Sequence, residues 1–338
     1  MNLAFILDQP MFVEAAFHPR KCNAGASAFA GAVDGAFDIH NKQSVGYRLF
    51  PHPRSQDEAL PVFVLWHGNA ELAAEYDPLA PFWCGVASGA SLIVLDFPGY
   101  GWAKGSPSIS QLAAVGEAIS PDIMWKCAFQ KAKMQQPATT IIVGRSIGSV
   151  AATAQCLAHK KSVHGLLLDA GIAALFDLPL VTGMLQELPQ YVSSIINSGV
   201  LADPFANSKR LSKLQLPLLL LHGSSDTLVP VEQARANLEA SAAPTAHKML
   251  REWPRCGHND VLQHFGREFF QEVQGFLALC SDAALQCAEQ ATSAAAAGSG
   301  SGSSISSTSS MFCMPSSAAA AAGDVPAGEA AGSSCLLQ

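Results

Sequence analysis

Residues Thr139–Ala151 read TTIIVGRSIGSVA, and Ser146, inside Gly144-Arg145-Ser146-Ile147-Gly148, is the residue best placed for nucleophilic chemistry. Thr139–Val143 is apolar on both faces and too short for a helix, so it reads as a buried strand. Ser149, Val150, Ala151 and Ala152 then begin a helix of small residues. A sharp strand-to-helix turn strains its central residue, and glycine on either side lets strand and helix approach without clashing. Such a nucleophile elbow would hold the Ser146 hydroxyl at the top of a sheet. The next N–H, that of Ile147, would lie at a helix N-terminus, free to bind an oxyanion. G-x-S-x-G by itself also describes a serine capping a helix after a glycine turn, so the rest of the chain has to decide.

Serine is a poor nucleophile at neutral pH unless a base takes its proton and an acid orients that base. Two further motifs supply these types. Asp226 follows the apolar run Leu216–Leu221 and His222-Gly223-Ser224-Ser225, in a turn where a carboxylate could orient an imidazole. His258, in Gly257-His258-Asn259-Asp260, follows the last strand from a loop within reach of Ser146. The chain order Ser, Asp, His is one of the known orders of this constellation. A second oxyanion donor is expected from His67-Gly68-Asn69, where Gly68 lets the backbone approach and the Asn69 N–H points at the substrate oxygen. Other readings stand beside each residue. Asp226 also suits a turn or a helix cap near Val229, and Asp169, ending another strand, is a rival for the acid. His67 and His222 end strands and are expected to bond backbone, without a chemical role.

The elements that must position these residues alternate. Phe12–Phe17 and Val45–Phe50 read as early strands paired antiparallel, with Met1–Val13 taken as the opening strand segment and not a signal peptide. Pro61–Trp66, Ser91–Leu95, Thr139–Val143, His164–Asp169, Leu216–Leu221 and His247–Trp253 read as buried strands. Helices are expected over Leu72–Val86, Ser110–Met134, Val229–Ser241 and from Gly257 to about Leu279. Apolar strands alternating with helices imply an α/β fold with a mostly parallel central sheet covered on both faces. The candidate residues all lie at strand carboxyl ends, where such sheets bind ligands.

Composition narrows the classes. Charged residues are 14% and hydrophobic ones 49% of 338, enough for a large core, and the net charge of -7 with no basic stripe argues against a nucleic-acid partner. No run of about 18 apolar residues spans a membrane. The nine cysteines are scattered with no C-x-x-C pair, which points away from a metal or disulfide framework and towards a reducing compartment. No cofactor motif is present. Composition breaks near Cys287. Residues 1–287 are expected to fold, with a lid over about 171–204, and the Ala/Gly/Ser-rich 288–338 to form a disordered tail.

HGNAE (67–71), DFPGYG (96–101), GRSIGS (144–149), LLLLHGSSDTLVP (218–230) and GHND (257–260) resemble the α/β-hydrolase superfamily over nearly all of Phe12–Leu279. More narrowly they are similar to intracellular serine hydrolases with an HGNA oxyanion loop and a GHND histidine motif, among them membrane-associated protein depalmitoylases. Those carry an N-terminal cysteine cluster where this chain has only Cys22. The resemblance implies Ser146, Asp226 and His258 as a catalytic triad, Asn69 and Ile147 as oxyanion donors, and 171–204 as a small cap.

The expected activity is hydrolysis of a carboxylic ester or acyl thioester, small, lipid-like or on an acylated protein, through an acyl-enzyme. The apolar stretch Leu175–Val200 would shelter the acyl chain. A serine peptidase, or a silent binding protein on the same fold, are the alternatives. Haloalkane or epoxide chemistry would place Asp at the elbow. The chain ends Cys335-Leu336-Leu337-Gln338, a C-a-a-X pattern in which Gln favours farnesyl. Cys313 is a candidate for palmitoylation, the second signal that stable anchoring requires. Together they predict a cytoplasmic protein tethered by its C-terminus to the cytosolic face of a membrane.

Overall fold

The computed structural model describes residues 7–187 and 203–298. The chain divides into a compact unit, Met1–Gln286, and a separate stretch, Cys287–Gln338. Eight strands form the sheet of the first unit: β1 (Val33–Asp38), β2 (Ser44–Phe50), β3 (Val62–Trp66), β4 (Ser91–Asp96), β5 (Thr140–Arg145), β6 (Gly165–Asp169), β7 (Leu218–Gly223) and β8 (Lys248–Trp253). Their order is β1-β2-β4-β3-β5-β6-β7-β8, with β3 through β8 parallel and β1 and β2 antiparallel to their neighbours.

The central strands read as unbroken apolar runs because both of their faces are covered. Val62, Val64 and Trp66 of β3 join one core with Ile93, Leu95, Ile142, Leu218 and Leu220. Phe63 and Leu65 face the opposite core with Leu92, Val94, Ile141, Val143, Leu219 and Leu221. Side chains alternate across a strand, so a run that is apolar at every position supplies both layers. The first core is roofed by the helices Leu112–Ala118 and Gly148–Ala158, and the second by the terminal helix through Phe269, Val273 and Phe276.

The structure differs from the sequence expectation at several places. Phe12–Phe17 is not a strand: Pro10–Ala16 is a helix with Pro10 in its first turn. A short apolar run does not distinguish the two by periodicity, and here Phe12 with Ala16 and Val13 with Phe17, each four apart, pack onto the core. β2 pairs antiparallel with β4 on one side and on the other with β1, a strand absent from the sequence expectation. Only Phe37 of its six residues is buried, so it carries no apolar alternation, and its stacking on Tyr47 at 4.5 Å becomes visible only after pairing.

Two expected helices are broken. Leu72–Val86 becomes the 3-10 turn Ala73–Tyr76 and the short helix Ala80–Cys84. Ser110–Met134 stops at Ala118 and restarts at Pro121, where the Ser120 hydroxyl accepts the Ile123 N–H at 3.2 Å. A proline at a first helical turn with a serine before it is a start signal. The terminal helix runs Val261–Gly298, past Leu279 and through the beginning of the segment expected to be disordered. Its alanines have the highest helix propensity of any residue. The remainder of that segment, with Cys313 and Cys335, lies outside the described residues. Among the described residues no helix is long and apolar enough to cross a membrane.

The expected lid, 171–204, is only partly described. Its opening residues Ile172, Ala173, Leu175 and Leu178 are buried in the main core and are not a loose cover. Ile172 and Ala173 are fastened through their N–H groups to Ser149 Oγ and Gln233 Oε1. The helix Pro179–Gln186 follows, with Leu180 exposed. Residues 188–202 lie outside the described set.

Candidate active site

Ser146 stands between β5 and the Gly148–Ala158 helix with φ of 52°, a left-handed value rare for a residue with a side chain. The surrounding contacts enforce it. A Cβ at Gly144 would lie 2.6 Å from Ser149 Cα, and one at Gly148 would collide with the Trp66 carbonyl oxygen. Strand, helix and β3 can meet this closely only with glycine at both positions. The Ser146 N–H donates to the Asp169 carbonyl at 2.8 Å, which pins the turn to the end of β6. Backbone strain at a residue so held is a feature of functional turns.

The structure brings Ser146, His258 and Asp226 together from β5, the loop after β8 and the loop after β7. His258 Nε2 is 2.9 Å from Ser146 Oγ, and His258 Nδ1 is 2.6 Å from Asp226 Oδ2. The other carboxylate oxygen of Asp226 accepts the N–H groups of Leu228 and Val229, each at 2.9 Å. Asp226 is therefore a turn residue through one oxygen and a hydrogen-bond partner of His258 through the other. Asp169 is not the partner of His258. Its carboxylate lies 3.9 Å from Arg145 Nε, and burial pushes its pKa up.

Burial alone would also raise the pKa of Asp226. Hydrogen bonds from His222 and His258, with the charge of His258, outweigh it and hold this carboxyl far below the usual range. His222 Nε2 donates to the Val229 carbonyl at 2.7 Å, the backbone bond expected of it, and also lies 3.4 Å from Asp226 Oδ2. His258 thus bridges the other two residues, with Nδ1 on the Asp226 carboxylate and Nε2 on the Ser146 hydroxyl.

Asn69 and Ile147 sit on the loops that flank Ser146. Ile147 opens the Gly148–Ala158 helix, so its N–H is at the positive end of the helix dipole. The Asn69 side chain is locked from the other side. Its Oδ1 accepts the His18 N–H at 2.8 Å and the Tyr100 hydroxyl at 2.9 Å, and its Nδ2 is 3.0 Å from His18 Nδ1. Arg20 adds donations to the Ala70 carbonyl and an ion pair with Glu75. Beneath the loop, fully buried His67 donates from Nδ1 to the Gly68 carbonyl at 2.7 Å and from Nε2 to Asp96 at 3.1 Å. Burial lowers the His67 pKa, but two acceptors prevail, and it stands above the ordinary value.

Sequence reasoning missed this support. Asp96 and Tyr100 belong to DFPGYG, which carries only a resemblance, and His18 lies in no motif. Glu71 and Arg145 lay inside recognised motifs without a role. A donor or acceptor whose partner is 51 or 82 residues away leaves no local pattern.

This eight-stranded sheet, with an elbow after β5 and supporting loops at the carboxyl ends of β3, β7 and β8, is the α/β-hydrolase fold. No protein-family model matches the chain. An uncharacterised protein of Mycobacterium tuberculosis is 25% identical over 254 residues, covering 75% of this chain and 82% of that protein. Human alpha/beta hydrolase domain-containing protein 17B is 26% identical over 197 residues, or 58% of this chain, and the match spans 59% of that relative. Among solved structures, the Pyrococcus furiosus esterase Pf2001 shares the fold with a TM-score of 0.56 at 18% identity, over 78% of this chain and 98% of that one. These likenesses show the fold that the chain shares with them.

Proposed function

We propose that the protein is a serine hydrolase that cleaves a carboxylic ester or acyl thioester through an acyl-enzyme. The observation that carries this reading is the continuous hydrogen-bonded line from Ser146 Oγ through His258 to Asp226, at 2.9 and 2.6 Å. In this reading His258 Nε2 takes the Ser146 proton as Oγ attacks the acyl carbon. The carbonyl oxygen becomes an oxyanion received by the Asn69 and Ile147 N–H groups. Collapse expels the alkoxide or thiolate, which takes the proton from His258, and leaves the acyl group on Oγ. Water, deprotonated by His258, then attacks the acyl-enzyme; the carboxylic acid departs and Ser146 recovers its proton. Asp226 holds the imidazole in the required tautomer throughout.

The esterase named among the structural neighbours supports the acyl-ester class. The resemblance of the HGNA and GHND motifs to those of protein depalmitoylases is the reason for including acyl thioesters. The test is labelling of the purified protein with a fluorophosphonate probe beside Ser146→Ala. Labelling of wild type alone is the expected result, followed by acyl-chain-length and thioester series. A folded wild type that stays unlabelled would overturn the reading in favour of a binding protein.

The membrane tether is part of the same proposal and rests on sequence. A prenyl group on Cys335, aided by palmitate on Cys313, would hold the enzyme at a cytosolic membrane surface. Cys335→Ser is expected to move the protein from the membrane to the soluble fraction of fractionated cells. An unchanged distribution would remove the tether and leave the hydrolase reading intact.

A further inference from the structure

Arg145 immediately precedes Ser146 at the end of β5, and its side chain reaches two different loops. Nε is 2.9 Å from Glu71 Oε1, and Nη2 donates to Asn259 Oδ1 at 2.8 Å. Glu71 belongs to the loop after β3. Its second oxygen accepts the Gly68 N–H at 3.1 Å and the Tyr76 hydroxyl at 2.6 Å. The carboxylate that Arg145 grips is therefore the one from which the Gly68–Asn69 turn hangs. At the other end of the guanidinium, Asn259 is the chain neighbour of His258. Between β5 and β6, Arg145 is also the register partner of Asp169, whose carboxylate lies 3.9 Å from Nε.

We propose that Arg145 is a positioning residue for the Ser146 chemistry, fixing the spacing between the Asn69 loop and the His258 loop so that both converge on one substrate carbonyl. The proposal rests on the serine-hydrolase reading above. The oxyanion donor and the base arrive on separate loops, after β3 and after β8, and neither is covalently close to the other. Arg145 stands on the strand between them, within one residue of the nucleophile. A guanidinium suits this task because it is a rigid planar fork whose donors point in fixed, different directions. Lysine offers a compact charge on a flexible stem, able to serve Glu71 or Asn259 but not both in the same geometry.

The electrostatics agree with the geometry. Burial alone would lower the Arg145 pKa, but Glu71 and Asp169 raise it well above the ordinary value. Burial would likewise raise that of Glu71, and Arg145 with His67 brings it down. Both partners are thereby held charged, which is the state in which a single carboxylate accepts from three donors.

The test compares fluorophosphonate labelling rate, kcat, KM and unfolding midpoint for wild type, Arg145→Lys, Asn259→Ala and the double variant. Misplacing a catalytic group by about 1 Å costs up to about a hundredfold, so Arg145→Lys is expected to lower kcat and the labelling rate by about tenfold to a hundredfold with KM unchanged. Asn259 is exposed, and its truncation should leave the midpoint in place while slowing both rates several-fold. The double variant should be no slower than Arg145→Lys alone, because both changes break one connection. Asn259→Ala carries the test if Arg145→Lys does not fold. Variants that fold and label at the wild-type rate, or that lose only thermal stability, overturn the proposal alone. A folded wild type that is itself unlabelled overturns the hydrolase reading and this proposal with it.

Discussion

His258→Ala is expected to reduce kcat on an activated ester by about a millionfold, the scale seen when a base or nucleophile of such a unit is removed. In the proposed reading His258 Nε2, 2.9 Å from Ser146 Oγ, takes the hydroxyl proton. Asp169 is turned to Arg145, and His222 points to the Val229 carbonyl. Without the imidazole the serine stays protonated, a nucleophile too weak to attack an ester at neutral pH. The residual rate, from the oxyanion donors and binding alone, should be about a thousandfold to ten-thousandfold above water. The fold should tolerate the change, since the His258 side chain is a partly exposed loop residue whose loss opens no core cavity. The measurement pairs kcat with the unfolding midpoint of the same preparation. A folded variant with a tenth of wild-type activity would remove His258 from the chemistry.

Asp226→Asn should cost about ten-thousandfold in kcat while leaving the structure nearly unchanged. The shapes are almost identical, but an amide nitrogen 2.6 Å from His258 Nδ1 would donate where the carboxylate accepts. The imidazole would then carry its proton on Nε2, facing Ser146, and could no longer receive one. The same substitution should leave a mark on stability. The hydrogen bonds from His222 and His258 hold the folded pKa of Asp226 far below the usual range against the opposing effect of burial. A carboxyl depressed on folding stabilises the fold above its unfolded pKa of about 3.9, and that contribution disappears as pH falls towards the folded value. Wild type should therefore lose stability below about pH 4 more steeply than Asp226→Asn. Urea unfolding midpoints across that range measure the difference, and parallel curves would mean that Asp226 is not held ionised by its histidines.

Much of the fold could be read directly because the central strands are buried on both faces. Runs such as Val62–Trp66 and Leu218–Leu221 have no polar position, so their length and flanking turns mark them without reference to any partner. The elbow was legible for a related reason: Gly144 and Gly148 occupy sites where a Cβ would collide with backbone, and such constraints are written in residue type. The amphipathic margins were less clear. The Pro10–Ala16 helix reads as a strand because about two turns of mixed residues offer too little periodicity. β1 was overlooked because an edge strand with one buried residue has almost none.

By itself, then, the amino-acid sequence determined the parallel α/β core and the strained serine turn. These follow from burial and sterics acting on neighbouring residues. Tertiary structure alone decided between Asp226 and Asp169 as the partner of His258. It also showed that Asn69 is clamped by His18 and Tyr100, and joined Arg145 to Glu71 and, across 114 residues, to Asn259. The physical reason is the nature of a polar contact: a hydrogen bond depends on where two loops end in space, and a loop's end point is set by the packed sheet beneath it.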